Sequence, residues 1–138
     1  MNINEMLDGI IEVPKKFKNN SALKNISMIE GFIDEEDTVY RFMNYKSAKR
    51  YVYNLRKGGY DDWRFPTFEE LKFIYEHWKE FSNESGYGFL PKSIALWTSE
   101  KSGDWIRCLC VTISAKCGTK IDDYTYSSDV LREVLCVR

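Results

Sequence analysis

Histidine is nearly absent from this chain, with one residue in 138, and proline is scarce, with three. One histidine leaves little room for His-based metal sets or a Ser-His-Asp relay, both of which need partners at defined spacing. No apolar run approaches the length of about 18 residues needed to span a bilayer, so membrane insertion is not expected. The opening MNINEMLDGIIEVPKKFKNN has no basic start followed by an apolar block, so the expectation is no signal peptide. The expected setting is then a reducing cytoplasm or a virion assembled there. Net charge is −1, with no overall basic excess, which argues against a nucleic-acid partner. The four cysteines, Cys108, Cys110, Cys117 and Cys136, all lie in the last third of the chain, so the first 107 residues have nothing to staple. Free buried thiols are the expected state.

What is present is a single-domain amount of apolar material. Apolar residues make up 43% and aromatic residues 15%. That supplies one core rich in rings. Lys, Asn, Ile and Tyr are abundant while Ala and Pro are sparse, a flavour common to AT-rich genomes, including many bacteriophages.

Along the chain, Ile3, Met6, Leu7, Ile10 and Ile11 recur at helical spacing. Residues 1–25 therefore read as an N-terminal helical arm and connector, ended near Pro14. The arm packs on its own domain or docks on another subunit. Residues 26–34 and 38–44 read as a strand pair around the solvated turn Asp34-Glu35-Glu36-Asp37. KSAKRYVYNLRKGG predicts an amphipathic helix with Ala48, Tyr51, Val52 and Leu55 inward. Gly58 and Gly59 should cap its C-terminus, and Arg56 and Lys57 should complement the dipole. PTFEELKFIYEHWKEF predicts a second helix, with Thr67 and Glu70 forming a capping box. Its apolar stripe is Phe68, Leu71, Tyr75 and Trp78, with Ile74 and Phe81 beside it. The period then changes to two. Residues 93–100, 105–114 and 130–138 read as strands, with KSGD as a hairpin and residues 116–129 as a long polar loop. Helices early and strands late give an α+β domain over residues 26–138.

Between the helices lies GGYDDWRFPTFEEL. Each residue there has a use in turning the chain. Asp61 and Asp62 accept backbone hydrogen bonds and Trp63 anchors the turn. Arg64 bonds carbonyls or a carboxylate, Pro66 holds Phe65 extended, and Thr67 starts the helix. With Ala48-x-x-Tyr51, Leu55, LWTSE at 96–100 and VLCVR at 134–138, this segment resembles the Lcl C-terminal domain family, DUF1566. That family reads A-x-x-Y-C-x-x-L, then G-G-Y-x-D-W-R-L-P-T-x-x-E-L, Y-W-S-S-T and V-R-C-V-R. The resemblance covers residues 45–138. It implies a C-type-lectin-like fold, two helices flanking a small twisted antiparallel sheet with the chain ends close. Its motif positions here are Trp63, Arg64, Pro66, Thr67, Glu70, Trp97, Cys136 and Arg138. Val52 stands where the family has its first cysteine, so the disulfide implied for Cys136 lacks a partner. Leu135, Thr98 and Glu100 also depart from the pattern.

A more distant similarity to formylglycine-generating enzymes, which bind copper through reactive cysteines, directs attention to Cys108 and Cys110. These share a strand face, and Cys117, Cys136 or His77 would have to complete a metal set. No CxxC pair or nucleophile–base motif supports this, so neither metal, cofactor nor catalysis is expected. No Glu-Pro-Asn sugar-binding calcium signature is present. The binding candidates are Asp122, Asp123, Tyr124 and Tyr126 in the polar segment, and Tyr87 and Phe89 in SGYGFLP. The reading is a non-catalytic binding module, directed at another protein, its own copies or a glycan, in a phage accessory or virion-associated setting. The alternatives are a decoration subunit assembling through the arm and a metal-dependent oxidase-like enzyme.

Overall fold

The computed structural model describes residues 10–17, 23–28, 32–33, 39–40, 42–77, 93–114 and 118–138. They form a mixed α+β domain with two helices and small antiparallel sheets. The largest sheet is an antiparallel meander of β5 (Ser93–Ser102), β6 (Trp105–Ser114) and β7 (Gly118–Ser127). KSGD closes the β5–β6 hairpin, and Gly103 takes φ +60, a conformation that side chains with a Cβ disfavour. The ladder runs from Ser93↔Thr112 to Trp97↔Cys108, slips at a bulge, and resumes at Lys101↔Ile106. Thr98 repairs the slip. Its hydroxyl donates to the Arg107 carbonyl at 2.8 Å and accepts from the Glu100 amide at 3.1 Å.

Because side chains alternate along a strand, this sheet carries two separate cores. On one face Leu96, Leu109 and Val111 pack with α2 (Phe68–Glu76), through Phe68, Leu71, Ile74 and Tyr75. On the other, Trp97, Ile106 and Cys108 pack with α1 (Tyr45–Asn54), through Tyr45, Ala48 and Val52. A nine-residue helix is marginal in water, and burial of Phe68, Leu71 and Ile74 at about 1.5–3 kcal/mol each is what holds α2. Its start is set locally. Thr67 Oγ1 accepts from the Glu70 amide, and Glu70 Oε1 accepts from the Thr67 amide. Helix α1 starts at Asn44, whose Oδ1 accepts from the Ser47 amide.

The second sheet orders β1 (Ile10–Glu12), β2 (Asn25–Met28) and β8 (Leu135–Val137), all antiparallel. The C-terminal segment ties the domain together. Arg132 exchanges backbone hydrogen bonds with Met43, Glu133 bridges to β5, and Val137 exchanges bonds with Arg64. Cys136 and Leu135 are fully buried within it.

Several expectations change. Ile10 and Ile11 form a strand, not the end of a helix, because β2 offers them a ladder. Val13, Phe17 and Leu23 are buried in the core, so residues 10–17 and 23–25 belong to the domain that was expected to begin at 26. The rest of the expected arm, including Ile3, Met6 and Leu7, lies outside the described residues. Residues 26–34 split: β2 pairs with β1 and β8, and only β3 (Phe32–Ile33) pairs with β4 (Val39–Tyr40). Helix α1 stops at Asn54 with Leu55 extended, and Gly58 and Gly59, at φ 69 and 81, shape a separate one-turn 3-10 helix. Arg56 still serves the helix end, donating to the carbonyls of Tyr53 and Leu55. The expected strand at 130–138 is regular only over Leu135–Val137. The segment at 116–129, expected as a loop, is the long strand β7.

Candidate functional site

Most of the GGYDDWRFPT segment is braced by contacts within the domain. Trp63 is buried, and its Nε1 donates to the Lys57 carbonyl at 3.0 Å, closing the glycine turn. Phe65 stacks on Tyr45, with ring centroids 5.2 Å apart. Pro66 offers its carbonyl to the Ser99 amide. Arg64 makes a two-pronged pair with Glu70 at 2.8 and 2.9 Å. Asp62, expected to serve the backbone of the turn, interacts with its own backbone amide and also pairs with Arg138, at 2.7 Å to its Nε. The Arg138 guanidinium also lies 3.6 Å from the Tyr60 ring centroid. The hydrogen bond from Arg138 holds the Asp62 carboxyl below its usual range. Trp97 is a core residue, its Nε1 donating to the Met43 carbonyl at 2.8 Å. Trp105 is 57% exposed.

The candidate surface is one face of β7. Asp122, Tyr124 and Tyr126 sit two residues apart and point to the same side, with Cys108 and Cys110 of β6 and the Arg132 side chain. Tyr124 is 52% exposed, and its ring lies 6.2 Å from that of Tyr126. Tyr126 is held from two sides. The Arg132 guanidinium covers its ring at 4.0 Å, and its hydroxyl lies 3.7 Å from Cys110 Sγ. The Cys110 contact, aided by burial, raises the Tyr126 phenol above its usual range. Among the described residues Arg132 meets no carboxylate. Asp123 belongs to the opposite face, where Arg107 binds it at 2.7 Å, binds Glu100 at 2.7 Å, and covers the Phe68 ring at 4.0 Å. The four residues proposed as one loop thus divide into three on one face and one in an ion-pair network on the other.

The thiols are poor nucleophiles here. Burial pushes Cys108 and Cys136 up to about 12, and burial also raises Cys110. Since the thiolate is the reactive form, all three are held in the inert state at neutral pH. His77 is half-buried and packs at a tilt against Phe17 and Phe73, which belong with the core on the other sheet face, so it does not join Cys108 and Cys110. Among the described residues no group of three or more His, Cys, Asp and Glu is placed to hold a metal. No helix among them is long and apolar enough to cross a membrane. Tyr87, Phe89, Trp78, Phe81 and Cys117 lie outside the described residues.

The face also has one member that no motif named, Arg132, and a thiol, Cys110, that was singled out for a different chemistry. Arg132 and Cys110 come to the tyrosines only through strand pairing and the path of the C-terminal segment, so no local spacing announces them. Comparison with family models, with curated proteins and with solved structures found no match for this chain.

Proposed function

We propose that the chain is a non-catalytic protein-binding module, built on a C-type-lectin-like scaffold of the Lcl C-terminal domain kind, in a phage accessory or virion-associated setting. The observation that carries the reading is the exposed Tyr124 beside the half-buried Tyr126 on strand β7, flanked by Asp122 of the same strand and by Arg132 of the C-terminal segment. Tyrosine and arginine dominate binding hot spots, and tyrosine brings large contact area with little rotamer entropy to lose. A strand fixes these side chains before a partner arrives, which lowers the ordering cost of association. The raised thiols point the same way, since a nucleophilic site would favour a depressed value. The motif series from Ala48 to Arg138 supports the scaffold assignment.

The test is affinity capture from the lysate of the source, with wild type, Tyr124→Ser and Asp122→Arg as baits. The expected result is one stoichiometric protein on wild type, reduced about tenfold or more by each variant. Both variants should keep the wild-type circular dichroism spectrum. Equal recovery on all three baits, or no partner on wild type, overturns the assignment.

A further inference from the structure

Charge is segregated along this chain although its net value is −1. Residues 38–60 hold Arg41, Lys46, Lys49, Arg50, Arg56 and Lys57 and no Asp or Glu. Three of these, Lys46, Lys49 and Arg50, are exposed on α1 at spacings of three and four, which is one helix face. None of the three meets a carboxylate among the described residues, whereas Arg64, Arg107 and Arg138 all do. The arrangement works against the helix itself. Like charges at this spacing repel, and a cation in the first turn opposes the macrodipole where an acid would be favoured. Folding alone therefore does not account for the cluster.

Beside this face lies a cleft of about 330 Å³ between α1 and the Trp63–Phe65 segment. Val52, Trp63 and Phe65 form an apolar floor, and Lys49, Tyr53 and Arg64 line it nearer the surface. Tyr53 is 78% exposed, and Arg64 is already neutralised by Glu70, whereas Lys49 has no ion-pair partner among the described residues. The volume suits one large side chain.

We propose that this face and cleft dock an extended acidic peptide segment of a protein partner. An aromatic or large aliphatic side chain enters the cleft, and flanking carboxylates meet Lys46, Lys49 and Arg50. The spacing agrees. Four residues of helix rise about 6 Å, and alternate residues of an extended chain lie about 6.6 Å apart. A polyanionic nucleic acid fits less well. It needs a long basic track, while this protein's net charge of −1 supplies no long-range field and its cleft is a single apolar depression. This surface is separate from the tyrosine face of β7 and shares no residue with it.

The experiment titrates the intact protein into fluorescein-labelled Glu-Glu-Trp-Glu-Glu and reads fluorescence anisotropy. Saturable binding is expected, weakened about tenfold between about 0.05 M and about 0.3 M salt as screening shortens the Debye length. Lys46→Glu with Lys49→Glu and Arg50→Glu should weaken it about tenfold or more, with the circular dichroism spectrum kept. Lys49→Glu alone should act in the same direction by a smaller factor. Glycine in place of the peptide's tryptophan should also weaken binding, and Tyr124→Ser should leave it unchanged. The proposal is overturned by no saturation at about 1 mM protein. It is equally overturned by wild-type binding in the charge-reversed variants, or by an oligothymidylate that binds more tightly than the peptide.

Discussion

Glu70 is the residue whose removal tests most of the local argument at once. Its carboxylate closes the capping box by accepting from the Thr67 amide at 2.9 Å, and takes both prongs of Arg64 at 2.8 and 2.9 Å. Two variants separate these roles. Glu70→Gln keeps an acceptor for the Thr67 amide and loses the charge. The Arg64 side chain is 44% exposed, so solvent screens much of the pair, and the expected cost is about 0.5–1 kcal/mol. Glu70→Ala also strands the Thr67 amide, adding about 1 kcal/mol, for a total near 1.5–2 kcal/mol. Thr67→Ala removes the reciprocal bond at about 1 kcal/mol. Because the two side chains share one motif, the double variant should cost less than the sum by about 0.5 kcal/mol. Urea unfolding with an unchanged m-value is the assay. A loss below about 0.3 kcal/mol in Glu70→Ala would refute the reasoning, as would strict additivity with Thr67→Ala.

The pH dependence of the same pair has a definite sign. Burial raises the Glu70 carboxyl, but the Arg64 and Thr67 hydrogen bonds and the Arg64 charge outweigh it, so its folded value is lowered. A lowered value means stability fully present above the unfolded carboxylate's pKa of about 4.3 and lost as pH falls through the folded value. The difference between wild type and Glu70→Gln should therefore be flat near neutrality and shrink below about pH 4.5.

Three further outcomes are expected. Trp97→Phe loses a buried indole hydrogen bond to the Met43 carbonyl and part of a fully buried ring, and should cost about 2–4 kcal/mol in chemical denaturation. A cost below about 1 kcal/mol would contradict that burial. In Gly58→Ala the new Cβ would sit 2.5 Å from Ile10 Cδ1 at φ +69, so stability should fall by about 1–3 kcal/mol. Unchanged stability would mean that β1 does not press on this turn. In a Cys117→Ser background, Ellman's reagent at about pH 8 should label native Cys108 and Cys136 only through unfolding, and all three remaining thiols in denaturant. Prompt native labelling of Cys136 would contradict its burial.

The parts of this protein legible without a structure are those with local causes. The Thr67–Glu70 box, the apolar stripe of α2, the KSGD hairpin and the alternation of β5 and β6 all depend on residues within a few positions of one another. Strand β7 was not legible because it lies at the described edge of its sheet and buries none of its residues fully. A polar, half-exposed strand carries no apolar alternation, and Lys120, Asp122 and Ser127 look like loop residues until β6 supplies the ladder. Ile10 and Ile11 failed for the converse reason. Their spacing fits a helix, and pairing with β2, itself paired with β8 from the far end of the chain, overrides it.

The candidate surfaces divide along the same line. The residue types were present in the sequence: tyrosines at two-residue spacing, a run of cations without an acid, thiols without a base. Local chemistry determines those properties, because caps, positive-φ turns and side-chain periodicity are satisfied within one segment. Tertiary structure decided which face each side chain took. It sent Trp97 inward and Trp105 out, turned Asp123 to Arg107, and set Arg132 over Tyr126. Those outcomes depend on strand register and helix docking, which are set by contacts between residues far apart in the chain and are written in no single stretch of it.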